Sequence, residues 1–154
     1  MLALGSTPTL ELEDTDGNPV AIADHKGKDN VFIYFMRALS CAQCNAHVQT
    51  IIKHRADFDA ANVEVIIAVP EDREHAAAWR ERRKVPFPVV MGAAGTPHEE
   101  VGLMRKVFGA IQQSGGVLFD GDGVVRYTRV ATNPGASYSA AELSEAIAAL
   151  PAIG

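Results

Sequence analysis

Val31-Phe-Ile-Tyr-Phe-Met-Arg-Ala-Leu-Ser-Cys41-Ala-Gln-Cys44-Asn-Ala-His47 runs a wholly apolar segment up to the two cysteines of the chain. Val31 to Met36 are apolar or aromatic without interruption, the pattern of a strand buried on both faces. After the cysteines, Val48, Ile51, Ile52 and Phe58 recur at helical spacing. The pair therefore falls where a buried strand gives way to a helix. The first N–H groups of a helix lack partners and its dipole favours negative charge there, so this turn is a place where a thiolate is stabilised. Thiolate is the reactive form of cysteine, and a redox-active thiol pair is the leading reading of function.

Around this stretch the chain alternates strand and helix without repeats or low-complexity linkers. Leu10-Glu-Leu-Glu13 and Pro19-Val-Ala-Ile22, separated by Asp14-Thr-Asp-Gly-Asn18, predict an opening β-hairpin. Val63 to Val69 reads as a second buried strand stopped by Pro70. Glu71 to Lys84 follows as a helix, acidic at its start and basic at its end, in accord with the dipole. Val85-Pro-Phe-Pro-Val-Val90 is extended, and Pro97 to Phe108 is predicted helical with Gly109 as its C-cap. Val117 to Val130 forms a second hairpin around Gly121-Asp-Gly123. Ser139 to Leu150 is a last helix, with Ser139 and Glu142 as a capping box. Parallel strands joined by helices, with hairpins appended, indicate an α/β fold.

Composition narrows the class further. A chain of 154 residues with 47% hydrophobic content is expected to form one domain, residues 1–154, with a sizeable core. A net charge of -5 without a basic face argues against nucleic-acid binding. Neither a signal-like start nor a run of membrane-spanning length is apparent, so the expected location is cytoplasmic, with no membrane partner. In that reducing compartment a close cysteine pair points to catalysis, redox sensing or metal binding rather than to a structural disulfide.

The ordered set of Asp16-Gly17, Lys26-Gly27-Lys28, the strand leading to cysteine, Pro86-Phe-Pro88 and Val117-Leu-Phe-Asp-Gly-Asp-Gly123 resembles the peroxiredoxins of the alkyl hydroperoxide reductase and thiol-specific antioxidant (AhpC/TSA) family over roughly residues 5 to 130. The resemblance implies a thioredoxin-like fold, a central mixed β-sheet flanked by helices with an N-terminal β-hairpin. It also implies a hydroperoxide substrate and a thiol reductant, either a thioredoxin-like protein or a small-molecule thiol, with no cofactor. A homodimer is a candidate assembly.

Departures from the family pattern are local. Peroxiredoxins carry Pro-x-x-x-Thr/Ser-x-x-Cys; if Cys44 takes the reactive place, Arg37 stands at the proline and Cys41 at the threonine position. Members also place an arginine near the strand entering the second hairpin, where this chain reads Gln112-Gln-Ser-Gly-Gly116. Arg37 is then the candidate source of positive charge. The Cys-x-x-Cys spacing equally resembles thioredoxins, although their cis-proline is replaced by Gly115-Gly116, two residues that leave room for a substrate backbone.

The candidate site residues are thus Cys41, Cys44, Arg37 and His47. Their spacing permits a Cys41/Cys44 disulfide cycle. In a peroxidase version Cys44 attacks the O–O bond and Cys41 captures the sulfenic acid; in a disulfide-reductase version Cys41 attacks first. His47, three residues beyond Cys44, shares its helix face and can exchange a proton near neutral pH. A Cys41/Cys44/His47 zinc site lacks an evident fourth ligand. The reading from a different class is a noncatalytic thioredoxin-fold binding or redox-sensing module. Phe32, Tyr34, Phe35 and Trp79 are assigned to the core, and His54, His75 and His98 receive no role.

Overall fold

The computed structural model describes residues 1–153. Along the chain come Leu12–Asp14 (β1), Pro19–Val20 (β2), a 3-10 turn at Ile22–His25, Asn30–Phe35 (β3), Ala42–Lys53 (α1) and Arg55–Ala60 (α2). Val63–Ala68 (β4), Arg73–Arg83 (α3), Val89–Gly92 (β5), Pro97–Val101 (α4), Arg105–Lys106 (β6) and Ile111–Gln112 (β7) follow. Ser114–Phe119 (β8), Val125–Ala131 (β9), a 3-10 turn at Pro134–Ala136 and Ala140–Ala148 (α5) complete the order.

Seven strands form one mixed sheet in the order β2-β1-β5-β4-β3-β8-β9. β3 sits inside it, parallel to β4 and antiparallel to β8. Because side chains alternate along a strand, Phe32 and Tyr34 join one core cluster while Val31, Ile33 and Phe35 join the other. The first cluster also holds Cys44, Val48 and Ile51 of α1, Trp79 of α3 and Leu143 of α5; the second is covered by Val101 of α4 and the N-terminal segment. Every residue of β3 is buried. Each large side chain of this strand contributes about 1.5–3 kcal/mol by leaving water, which pins the strand and therefore where the cysteine turn begins. The α/β architecture expected from the sequence, a mixed sheet flanked by helices and opened by a hairpin, is the observed one.

The two hairpins close by one shared device. Asp14 Oδ1 accepts the N–H groups of Asp16 and Asn18, and Asp120 Oδ1 those of Asp122 and Val124, while Gly17 and Gly123 take the positive φ each turn needs. Asp72 caps α3 by accepting from His75 N, and Lys84 closes that helix in the left-handed region. Ser139 caps α5 by accepting from Glu142 N, but the Glu142 carboxylate does not complete the expected box; it binds Tyr127 and Arg129 instead.

Two expectations are corrected. The helix predicted from Pro97 to Phe108 stops at Val101. Gly102, at φ 78°, takes the left-handed cap; its N–H goes back to Glu99 O and that of Leu103 to His98 O, closing the helix end. Gly109 caps nothing, because β6 and β7 form a small hairpin whose tip, Val107 to Gly109, has positive φ throughout. The strand expected near Val117 begins at Ser114, and Gly115 and Gly116 lie buried within it. A Cβ on Gly115 would run into the Arg129 carbonyl, and one on Gly116 would stand 2.8 Å from the Phe32 ring. Close strand and core packing requires these glycines; they do not open a substrate channel.

Candidate active site

The cysteine turn is built from the end of β3. Met36 N still donates to Ala68 O, extending the ladder by one bond before the chain leaves the sheet at Arg37. Leu39 N then donates to Glu71 Oε2 at 2.9 Å, and Cys41 N to Ala38 O, so the loop is tied before α1 begins. Asn45, one turn into the helix, donates through Nδ2 to both Leu39 O and Cys41 O at 2.9 Å. Its Oδ1 accepts from Trp79 Nε1 at 2.9 Å. A core tryptophan thus holds the amide that holds the loop. Sequence reading placed Trp79 in the core, which is correct, but gave no signal of this bond.

Both cysteines are free thiols and both are buried. Cys41 is the N-cap of α1, and its Sγ accepts the Cys44 N–H at 3.2 Å. An acceptor at a helix N-cap meets an otherwise unpartnered N–H and the positive end of the dipole. Cys44 Sγ lies one turn deeper and accepts the backbone N–H of Arg37 at 3.4 Å. Burial, reinforced by the hydrogen bond to Cys41, pushes the Cys44 thiol up to about 11, with the Arg37 N–H and the Tyr34 hydroxyl opposing. The Tyr34 hydroxyl is itself pushed up by burial; it meets Ser137 Oγ at 2.7 Å, and Ser137 donates to Pro134 O.

The other two candidates meet this site differently from the sequence reading. Arg37 comes to Cys44 through its main chain. Its guanidinium hydrogen-bonds neither sulfur among the described residues. His47 turns Nε2 toward Pro134 O (3.2 Å) and Gly135 O (3.1 Å), with its ring beside Tyr34 and Tyr138. It fastens α1 to the turn after β9, and neither of its nitrogens bonds a thiol among the described residues. No group of three or more His, Cys, Asp or Glu residues is placed to hold a metal among them either.

The family model of AhpC/TSA matches residues 5–128. The chain belongs to that family. It is 30% identical over 128 residues to a protein of Mycobacterium tuberculosis (strain H37Rv) provisionally named a peroxiredoxin, a match covering 83% of this chain and 76% of the relative. It is 27% identical over 119 residues to the chloroplastic peroxiredoxin Q of Suaeda salsa, covering 77% of this chain and 55% of that one. Its fold is similar to the crystal structure of peroxidoxin BcpB from M. tuberculosis, with a TM-score of 0.75, 19% identity and 96% of each chain covered. Family membership makes this protein a thiol-dependent oxidoreductase of the peroxiredoxin kind, and its Cys-x-x-Cys pair fits a two-cysteine cycle. No helix among the described residues is long and apolar enough to cross a membrane.

Measured against that family, the site makes a local exchange. A proline at position 37 has no N–H, whereas Arg37 donates one to Cys44 Sγ. Arg37→Ala is accordingly expected to leave the Cys44 titration unchanged. Arg37→Pro should raise its midpoint by about half to one pH unit, since one hydrogen bond is worth about 1 kcal/mol and a pH unit corresponds to about 1.4 kcal/mol. NMR of 13Cβ-labelled cysteine in a Cys41→Ser background reads the midpoint. A large shift in Arg37→Ala would return the role to the guanidinium.

Proposed function

We propose that this protein reduces hydroperoxides through a Cys41/Cys44 dithiol-disulfide cycle in which Cys41 attacks and Cys44 resolves. The observation that carries the order is the different footing of the two sulfurs. Cys41 Sγ caps the helix and accepts an N–H at its very start, whereas burial keeps the Cys44 thiol, one turn deeper, protonated at neutral pH. Cys41 thiolate attacks the terminal oxygen of ROOH and the O–O bond breaks, giving Cys41 sulfenic acid and an alkoxide that takes up one proton to leave as ROH. Cys44 then attacks that sulfur; a disulfide forms and water leaves. Two thiol groups, both from one thioredoxin-like protein or one from each of two small-molecule thiols, restore the dithiol by exchange and are themselves oxidised to a disulfide.

The same arrangement suits attack on a protein disulfide, which keeps a disulfide-reductase reading alive beside the peroxidase one. Arg37 takes part through its N–H, and His47 as the anchor that keeps α1 against the Pro134–Ala136 turn. Cytoplasmic residence and a homodimer belong to the proposal as expectations.

The order of attack has a test in pH. Disulfide formation needs the Cys44 thiolate, whose fraction rises tenfold per pH unit below about 11. After one equivalent of peroxide, the step from Cys41 sulfenate to disulfide should therefore accelerate about tenfold per unit between pH 6 and 9, followed by stopped-flow fluorescence. Dimedone trapping and mass spectrometry locate the sulfenate in Cys44→Ser. Label on Cys41 supports the order; efficient labelling of Cys44 in Cys41→Ser reverses it.

A further inference from the structure

His98 is completely buried on α4, on the opposite face of the sheet from α1, and sequence reading gave it no role. Its Nε2 stands 2.6 Å from Met36 O, its Nδ1 has no partner, and the Phe35 ring lies edge-on at 5.5 Å. Burial lowers the imidazole to about 4, so the ring is neutral under ordinary conditions and carries one N–H. The carbonyl 2.6 Å away can only accept, which puts that hydrogen on Nε2.

Met36 O and Arg37 N belong to one peptide unit. No peptide bond among the described residues is cis, so the carbonyl and N–H of this unit point in opposite directions, one toward α4 and the other toward α1. The carbonyl accepts from His98 and the N–H donates to Cys44 Sγ at 3.4 Å. A three-member chain therefore passes from one face of the sheet to the other just beyond the end of β3: imidazole N–H, peptide, sulfur. Hydrogen bonds in such chains polarise one another, and a carbonyl held from behind also fixes the plane in which its N–H points.

We infer that His98 is a positioning residue for Cys44: by donating to Met36 O it orients and polarises the Met36–Arg37 peptide so that the Arg37 N–H supports the Cys44 thiolate. The device suits this chain because position 37 has an N–H, which the proline of the family pattern lacks. The inference rests on the dithiol cycle proposed above, in which Cys44 must become a thiolate, but it holds whichever sulfur meets the oxidant first.

The first measurement uses the wild-type protein: 15N shifts of the His98 ring are expected to show the neutral Nε2–H tautomer. An Nδ1–H tautomer overturns the inference, because Nε2 then has nothing to donate. The second follows Cys44 by 13Cβ NMR in a Cys41→Ser background. His98→Leu should raise the midpoint by about half a pH unit and move the Arg37 amide proton upfield. His98→Gln, whose side-chain N–H₂ can reach the same carbonyl, should restore most of both. An unchanged midpoint in a folded His98→Leu protein overturns the inference, as does a shift that His98→Gln shares in full, which would mark a packing effect. Should His98→Leu not fold, the tautomer and His98→Gln decide. These readouts involve no peroxide, so their failure is distinct from failure of turnover.

Discussion

Cys41→Ser is expected to lower hydroperoxide consumption about a thousandfold or more, to the rate of the residual buried thiol, because it removes the proposed attacking sulfur at the helix N-cap. Cys44→Ser should behave differently. It keeps the Cys41 cap and its helix position, so the first equivalent of peroxide is consumed at a near wild-type rate. The Cys41 sulfenate then has no partner sulfur one turn away. Turnover stalls, and excess peroxide carries Cys41 to the sulfinic acid, 32 mass units heavier than the thiol by the two added oxygens. A burst without steady state in Cys44→Ser, beside no burst in Cys41→Ser, is the expected pair of traces. A burst in Cys41→Ser instead would assign the attack to Cys44. Insulin reduction in the same variants covers the neighbouring chemistry. If wild type reduces insulin while consuming peroxide no faster than a free small thiol, disulfide exchange replaces peroxide reduction as the activity. Inactivity in both assays leaves the binding module.

Much of this site is legible in the sequence alone. The apolar run before Cys41 announces β3, and the spacing of Val48, Ile51 and Phe58 announces the helical segments after it, because burial imposes a period that sequence retains. The strand-to-helix turn that holds the cysteines follows from those two periods; that Cys41 is the cap itself comes from the structure. What stayed hidden depends on contacts between distant segments. The guanidinium of Arg37 invited an electrostatic role, yet the atom that meets Cys44 is the backbone nitrogen common to nearly every residue type. His47 is a candidate from its place one turn beyond Cys44, and the Pro134–Ala136 turn supplies the carbonyls that meet its Nε2, contacts no local spacing announces. His98 lies 62 residues from its partner, on a helix that Gly102 already ends, seven residues before the Gly109 that the pattern points to as its cap.

The link between core and chemistry is open to a stability measurement at Trp79. Its side chain is 1% exposed, the largest of those wholly enclosed, and its Nε1 is the donor for Asn45 Oδ1. Trp79→Ala empties a volume the sheet cannot close over and is expected to cost about 3–5 kcal/mol. At about 2–4 °C per kcal/mol for a domain of this size, the unfolding midpoint should fall by about 6–20 °C. Trp79→Phe separates the two parts of that loss. It keeps most of the apolar volume but leaves Asn45 Oδ1 buried without its donor, a cost of about 1–3 kcal/mol. Asn45 also holds Leu39 O and Cys41 O, so an amide free to rotate away from its lost partner loosens the loop that delivers Cys41 to the helix end. The folded Trp79→Phe protein should therefore form its disulfide severalfold more slowly after one equivalent of peroxide, at temperatures well below its midpoint. Thermal unfolding followed by circular dichroism and single-turnover fluorescence measure the two effects. A Trp79→Phe protein with wild-type values of both would mean that the indole N–H holds nothing, leaving Asn45 to be fixed by the loop carbonyls alone.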